Sequence, residues 1–444
     1  MTRPHSPLRR ASMGLFAASA ALALTLSGCS GGSVTGNKAG SSGGKTQLSL
    51  WWNYTGDSAK EAQKLVDQFN SSQSTYTVTA QFGAPSDQFD SKLINAIKNK
   101  QGPNIVLGDS TPQNTAEVIA TGEVVPLDSY LSDSSSTITK DDFTPGMIST
   151  GTFNGKLYTL ATDIGDYAIV YNKKMFADAG ITSTPTTWAE LAADAQKLTK
   201  GTTQYGIYLP ISSGEWPVFT WQSMLWGAGG QFLNADNTKV EFNSQAGVDA
   251  LTAWVDLIKS GAAYPQSLFS STNNGGTAAL SAKKAAMAYD GAYNLATLDS
   301  ALGADNVGVF AVPGLTQPGM NLGTDNSYIL KGTSDQEKGA WAFLQYWLKP
   351  SVQAQWDVAT GFFPANQKTS DDPTWKQYLA KNPRISTFVD ELKYANARPS
   401  ISAYAQISAA LSNEITAAMM QQASPKAALD TAAQKAQAAL DSAS

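Results

Sequence analysis

Residues 46–82 read TQLSLWWNYTGDSAKEAQKLVDQFNSSQSTYTVTAQF. The patterning of this stretch changes twice. From Thr46 to Trp52 it alternates, with Leu48, Leu50 and Trp52 on one face, which predicts a strand. Asp57-Ser58 then opens a helix, where Ser58 and Glu61 have capping-box spacing and Ala62, Leu65, Val66 and Phe69 recur at helical spacing. Tyr76, Val78, Ala80 and Phe82 alternate again and predict a second strand. Phe89, Leu93, Ile94 and Ile97 mark a second helix, Gly102-Pro103 stops it, and 104–108 reads as a short buried strand. This βαβαβ order predicts a mostly parallel sheet with helices on both faces.

The pattern restarts further along. Two strand-like runs flank Asp163-Ile164-Gly165-Asp166, and Thr187 and Glu190 cap a helix carrying Leu191, Ala195 and Leu198. Strands are expected at 206–209, 285–289 and 307–312, with a helix on Val248, Leu251, Val255 and Ile258 between them. Ser334 and Glu337 are placed to cap a helix that Pro350 ends. The tail is helical, first along Ile401, Tyr404, Ile407, Leu411 and Ile415, then from Ser424-Pro425. Two α/β units, each completed by late segments, are the simplest reading.

Upstream, Arg3, Arg9 and Arg10 precede an apolar run from Ala11 to Leu26 and then Leu26-Ser27-Gly28-Cys29. This is the pattern of an export signal. The small residues before a lone Cys resemble a bacterial lipobox, which implies cleavage before Cys29 and lipidation of that residue. Arg9-Arg10 leaves open general or twin-arginine export. The Gly/Ser-rich stretch that follows reads as a flexible tether. Without residues 1–28 the chain holds 28 basic and 36 acidic side chains, a surface unsuited to nucleic acid or to anionic lipid. Of 444 residues, one is His (His5) and one is Cys (Cys29), both near the N-terminus. A chain cut before Cys29 therefore has no Ser-His-Asp triad, no His-based zinc site and no internal disulfide. No cofactor or metal is demanded, although carboxylates and carbonyls could hold calcium.

The body carries an ordered set of segments. They are Leu48-Ser-Leu-Trp-Trp-Asn53, Pro103-Asn104-Ile105-Val106, Gly122-Glu-Val-Val-Pro-Leu-Asp128, Gly155-Lys-Leu-Tyr158 and Tyr171-Asn172-Lys-Lys-Met-Phe176. Thr187-Trp188-Ala-Glu-Leu191, Ala286-Met287-Ala-Tyr-Asp290-Gly291 and Thr360-Gly361-Phe-Phe-Pro364 follow. In this order, behind a lipobox, they resemble the bacterial family 1 extracellular solute-binding proteins, the lipoprotein receptors of ABC importers. The resemblance implies a two-lobed α/β fold of the type II periplasmic-binding-protein kind, with a mostly parallel sheet in each lobe and a hinge of crossing segments. Lobe 1 is expected at 46–160 plus 322–362 and lobe 2 at 161–314 plus 366–444, after a signal peptide at 1–28 and a lipidated tether at 29–45. Crossings are expected near Leu160–Asp163, Val312–Leu322 and Phe363–Asn366. A non-catalytic monomer, exported and lipid-anchored to the outer face of the cytoplasmic membrane, would carry a sugar-like ligand to the permease subunits of the importer.

A sugar presents flat C–H faces and a ring of hydroxyls, which aromatic platforms and planar polar side chains match. Each hydrogen bond nets about 1 kcal/mol, so several must act together. Trp52-Asn53-Tyr54 leave the first strand, and Asp109 ends another. Asp163 and Asp166 lie at the first expected crossing, as hydroxyl acceptors or as turn formers. By the resemblance, Glu215-Trp216 falls in a contact-bearing stretch, whereas Trp221, Met224 and Leu225 belong to the core. Tyr293 falls at an aromatic platform position, Asp325 and Asn326 line the cleft, and Phe362 stands where relatives carry Tyr. Asp290 binds a hydroxyl or caps the helix after it. Arg398 suits a phosphate, as in glycerol-3-phosphate receptors of the family, or an internal carboxylate. A sugar or oligosaccharide is the first reading and a glycerophosphate ester or glycerophosphodiester the second. A secreted glycoside hydrolase is the rival from another class, although no carboxylate pair is flagged.

Overall fold

Consecutive tryptophans begin the core. Trp51 packs with Phe89, Leu93 and Val106, whereas Leu48, Leu50 and Trp52 pack on the other face with Leu65, Val66 and Phe69. Successive strand residues point to opposite faces, so this strand is covered on both sides. The computed structural model describes residues 44–443 apart from 85, 110–111, 212–213 and 265–274. The export segment, Cys29 and all of the tether before Gly44 lie outside the described residues.

The strands in chain order are β1 (Thr46–Trp52), β2 (Tyr76–Phe82), β3 (Ile105–Asp109), β4 (Thr152–Phe153), β5 (Lys156–Leu157), β6 (Leu160–Ile164) and β7 (Tyr167–Asn172). They continue with β8 (Tyr205–Tyr208), β9 (Ala285–Gly291), β10 (Val307–Phe310), β11 (Met320–Asn321), β12 (Thr324–Ile329) and β13 (Ala395–Asn396). One sheet has the order β2-β1-β3-β12-β6 and the other β10-β7-β9-β8. The fold is α/β and two-lobed, with one of these sheets in each lobe. Helix Gly56–Ser72 buries the expected Ala62, Leu65, Val66 and Phe69 on the first sheet. In the second lobe, helix Trp216–Gly227 is buried from Pro217 to its end, with Trp221, Met224 and Leu225 in the core.

β1 pairs in parallel with β2 and β3, as expected. β12 is antiparallel to β3 and β6, and β7 is antiparallel to β9 and β10, so each sheet is mostly parallel in direction, as expected, with one reversed strand, β12 in the first and β7 in the second. The crossings are the cause. A segment arriving from the other lobe enters its sheet at the junction, so it runs against the strands that end there.

Three crossings meet at that junction. β6 bonds within the first sheet through Ile164, so the chain leaves that sheet at Gly165–Asp166 and not at Leu160–Asp163 as expected. The second crossing lies between β10 and β12, and the third is bridged to the first at Phe363, where Ile164 and Phe363 exchange backbone bonds of 2.8 and 2.9 Å. Gly165 N–H donates to Gly323 C=O at 3.2 Å. A Cβ on Gly323 would fall 1.9 Å from the Gly165 carbonyl oxygen, so this close approach requires glycine. Gln353, fully buried, donates to Thr162 C=O (2.7 Å) and accepts from Ala365 N–H (3.0 Å), tying β6 to the third crossing. No helix among the described residues is long and apolar enough to cross a membrane.

Candidate functional site

β1, β2, β3 and β6 run in one direction, because β12 is antiparallel to both β3 and β6. Their carboxyl ends share one edge of the sheet, the edge at which open α/β sheets bind ligands. β2 ends there at Phe82, β1 at Trp52 with Asn53 and Tyr54 following, and β3 at Asp109. β12 starts there with Thr324 and Asp325, and β6 gives way to Gly165 and Asp166. Of Asp109 only the strand position is described, opposite Asn326.

A row of rings runs behind this edge. Trp52 lies 6.2 Å from Tyr54, Tyr54 lies 4.8 Å from Trp356, and Trp356 stacks on Phe362 at 6.3 Å and 4°. Phe362 lies 5.6 Å from Tyr293, which follows β9 in the second lobe. Trp52, Tyr54 and Trp356 are buried and Phe362 is half-buried, but Tyr293 is 37% exposed. Tyr293 and Phe362 thus form a platform from two crossing-adjacent segments. Glycines make room for it, since a Cβ on Gly291 would lie 2.1 Å from the Tyr293 ring and one on Gly165 would lie 3.1 Å from the Phe362 ring.

Carboxyl groups gather beneath the rings. Asp163, fully buried, accepts a bond from Trp356 Nε1 at 2.8 Å. Burial holds its pKa well above the usual carboxylate range, and the nearby carboxyls of Asp325 and then Asp357 push it the same way. Burial does the same to Asp357, whose two oxygens have no hydrogen-bond partner among the described residues. Asp166 accepts from Tyr167 N–H at 2.8 Å through one oxygen, while the other is buried without a partner among the described residues. Its pKa is raised by burial first and by Glu391 second. Desolvation also raises the Tyr293 pKa, with Asp290, Asp325 and Asp166 adding to it. A carboxyl kept protonated donates as well as accepts, which is what a hydroxyl partner needs.

The remaining expected residues divide into three groups. Asp290 accepts from the Thr277 hydroxyl (2.6 Å), Asn294 Nδ2 (2.7 Å) and Gly291 N–H (2.9 Å), so it builds the turn that carries Tyr293. Asn326 is fully buried in β12, and neither of its amide atoms has a partner among the described residues. Glu215 and Arg398 pair with each other at 3.1 Å. Glu215 also accepts from the Tyr404 hydroxyl (2.8 Å) and the Ser408 hydroxyl, and the Arg398 guanidinium lies 4.7 Å over the Phe219 ring. Of the two roles open for Arg398, the internal carboxylate is the one occupied. Trp216, half-buried beside this pair, meets Tyr167 edge-on at 5.6 Å.

Trp356 and Asp357 were not anticipated. The available signal was an Asp one turn after Gln353 in the helix Pro350–Thr360, on a face where both are buried. No group of His, Cys, Asp or Glu with metal-holding geometry occurs among the described residues.

Two sheets joined by three crossings, with rings and carboxyls at the joint, make the architecture of a two-lobed binding protein. A model of the bacterial extracellular solute-binding proteins matches residues 64–383, and the chain belongs to that family. It is 26% identical over 326 residues to a putative binding protein of Brucella abortus, covering 73% of this chain and 77% of that one. It is 24% identical over 424 residues to an sn-glycerol-3-phosphate-binding periplasmic protein of Rhizobium meliloti, covering 89% and 94%. Among solved structures, the cyclic alpha-maltosyl-1,6-maltose binding protein from Arthrobacter globiformis superposes with a TM-score of 0.78 at 27% identity, covering 90% of this chain and all of that one.

Proposed function

We propose that the chain is the receptor of an ABC importer, capturing a carbohydrate between its lobes and delivering it to a membrane permease. The Tyr293–Phe362 platform, at a junction where Asn53 and Asp325 remain half-buried on the strand edge, carries this reading. Its ring faces suit the C–H face of a sugar, and those polar side chains suit the hydroxyl rim. The similarity to a maltosyl-maltose binding protein favours the same class. The receptor performs no chemistry. Ligand touching both lobes favours a closed form, and that form docks on the permease. In this reading the export segment is removed, and lipid on Cys29 holds a monomeric body outside the cytoplasmic membrane.

A glycerophosphate ester is the second reading, supported by the Rhizobium meliloti relative. Its expected phosphate partner, Arg398, is paired with Glu215. Calorimetric titration of the purified protein with malto-oligosaccharides and with glycerophosphocholine tests both. The carbohydrate reading expects saturable sugar binding that Tyr293→Ala weakens about tenfold, with the melting temperature of the ligand-free protein almost unmoved. Equal affinity in the variant would remove Tyr293 from the site, and binding of the phosphodiester alone would select the second reading.

A further inference from the structure

The row of rings has two ends. One is Tyr293 with Phe362, and the other is Trp52, whose neighbour across the β1–β2 register is Phe82, a residue without a role so far that is 45% exposed. The register Leu48↔Val78, Leu50↔Ala80 and Trp52↔Phe82 puts these six side chains on one face of two neighbouring strands. Four of them pack in the core, Ala80 is half-buried against it, and Phe82 alone is exposed. It lies beside Trp52, from which the rings of Tyr54, Trp356 and Phe362 lead to Tyr293.

Phe82 is also held still. The next residue continues the ladder, with Gly83 N–H donating to Trp52 C=O at 2.8 Å. Lys92 Nζ donates to Gly83 C=O and lies 5.3 Å over the Trp51 ring. Phe89 packs so tightly on Gly83 that a Cβ there would fall 2.5 Å from its ring. An exposed ring on a pinned backbone costs little to order when something stacks on it. A single exposed apolar residue needs no explanation by itself. This one lies on the edge that carries Asn53, Asp325 and Asp166 between the two exposed rings.

Resting on the carbohydrate reading above, we infer that Phe82 is an outer stacking subsite and that the ligand is an extended oligosaccharide laid along the carboxyl edge of the five-stranded sheet. The first and last strands of that sheet are separated by four strand spacings, roughly 19 Å, which a single sugar ring does not span. The reducing or non-reducing half of the chain would rest on Tyr293 and Phe362, the far half on Phe82, and polar groups between them would meet the intervening hydroxyls.

The test is calorimetric titration of wild type, Phe82→Ala and Phe82→Trp with the linear malto-oligosaccharides from two to six units. Wild type should gain affinity with length. Phe82→Ala should lose roughly fivefold more affinity for the tetraose to hexaose than for the disaccharide, and Phe82→Trp should restore the gain. The same loss at every length, or no loss at any, would overturn the subsite while leaving the carbohydrate reading intact. Absence of binding by the wild type to every member would overturn the reading and the subsite together.

Discussion

Asp357 sits inside the protein with neither carboxyl oxygen hydrogen-bonded to a described residue, next in the chain to Trp356, which donates to Asp163. Burial raises its pKa, and it helps to raise that of Asp163. The native state therefore keeps protons that the unfolded chain releases above the ordinary carboxylate range of about 4. A native state that binds more protons loses stability as pH rises, by about 1.4 kcal/mol per pH unit for each proton. Asp357→Asn should accordingly flatten the fall in melting temperature between pH 5 and pH 8 and make the protein more stable at the upper end. Identical slopes in calorimetric scans of variant and wild type would show that these carboxyls ionise normally. Glu215 and Arg398 illustrate the opposite arrangement, in which a half-buried acid is matched by a buried cation and two hydroxyls. Nothing in their spacing along the chain, 183 residues apart, announced that they would meet.

At the scale of elements, local chemistry was legible where it is local. Thr187 accepts from Glu190 N–H and Glu190 reaches back, the capping box expected from the sequence. The box at the later helix forms one residue earlier than expected, from Thr333 and Gln336, because Ser334 already lies inside the helix. The expected Ser58–Glu61 box does not form. Gly56 begins that helix, Thr55 caps it without a side-chain bond, and Glu61 instead accepts from Gln355 at 2.6 Å. Tertiary partners outbid a local cap when they reach the same carboxylate. The crossings are set by backbone contact. Gly323→Ala would drive a methyl into the Gly165 carbonyl, so the two segments must part. Denaturant titration should show a loss of about 2 kcal/mol or more, in the range of overpacked core sites. A loss below 0.5 kcal/mol, the spread of ordinary surface changes, would mean that the crossings yield without cost.

For the whole molecule, two sheets joined by three thin crossings can bend where the crossings meet, while each sheet moves with its own core. A ligand that touches Tyr293 from one lobe and the first sheet's edge from the other binds the bent form better, and only that difference in affinity shifts the equilibrium. Small-angle scattering of the purified protein should show a smaller radius of gyration with a saturating oligosaccharide. The same sample should be stabilised by about 2.7 kcal/mol at a hundredfold excess of ligand over Kd. Stabilisation without contraction would indicate a site that fills without closure.

The order of strands and helices, the export pattern and the aromatic richness of the body were determined by the sequence alone, because hydrophobic period and turn chemistry are properties of neighbours along the chain. Tyr293 and Phe362 were singled out by the family resemblance of their segments, but their 5.6 Å approach was not, nor was the row from Trp52 through Trp356. Strand direction in the second sheet, the position of the first crossing, the burial of Asp163, Asp166 and Asp357, and the Glu215–Arg398 pair were decided only in three dimensions. The physical reason is common to them all. Each depends on segments far apart in sequence being brought to one junction, where burial and close contact, rather than residue type, decide whether a side chain serves the core, the hinge or the ligand.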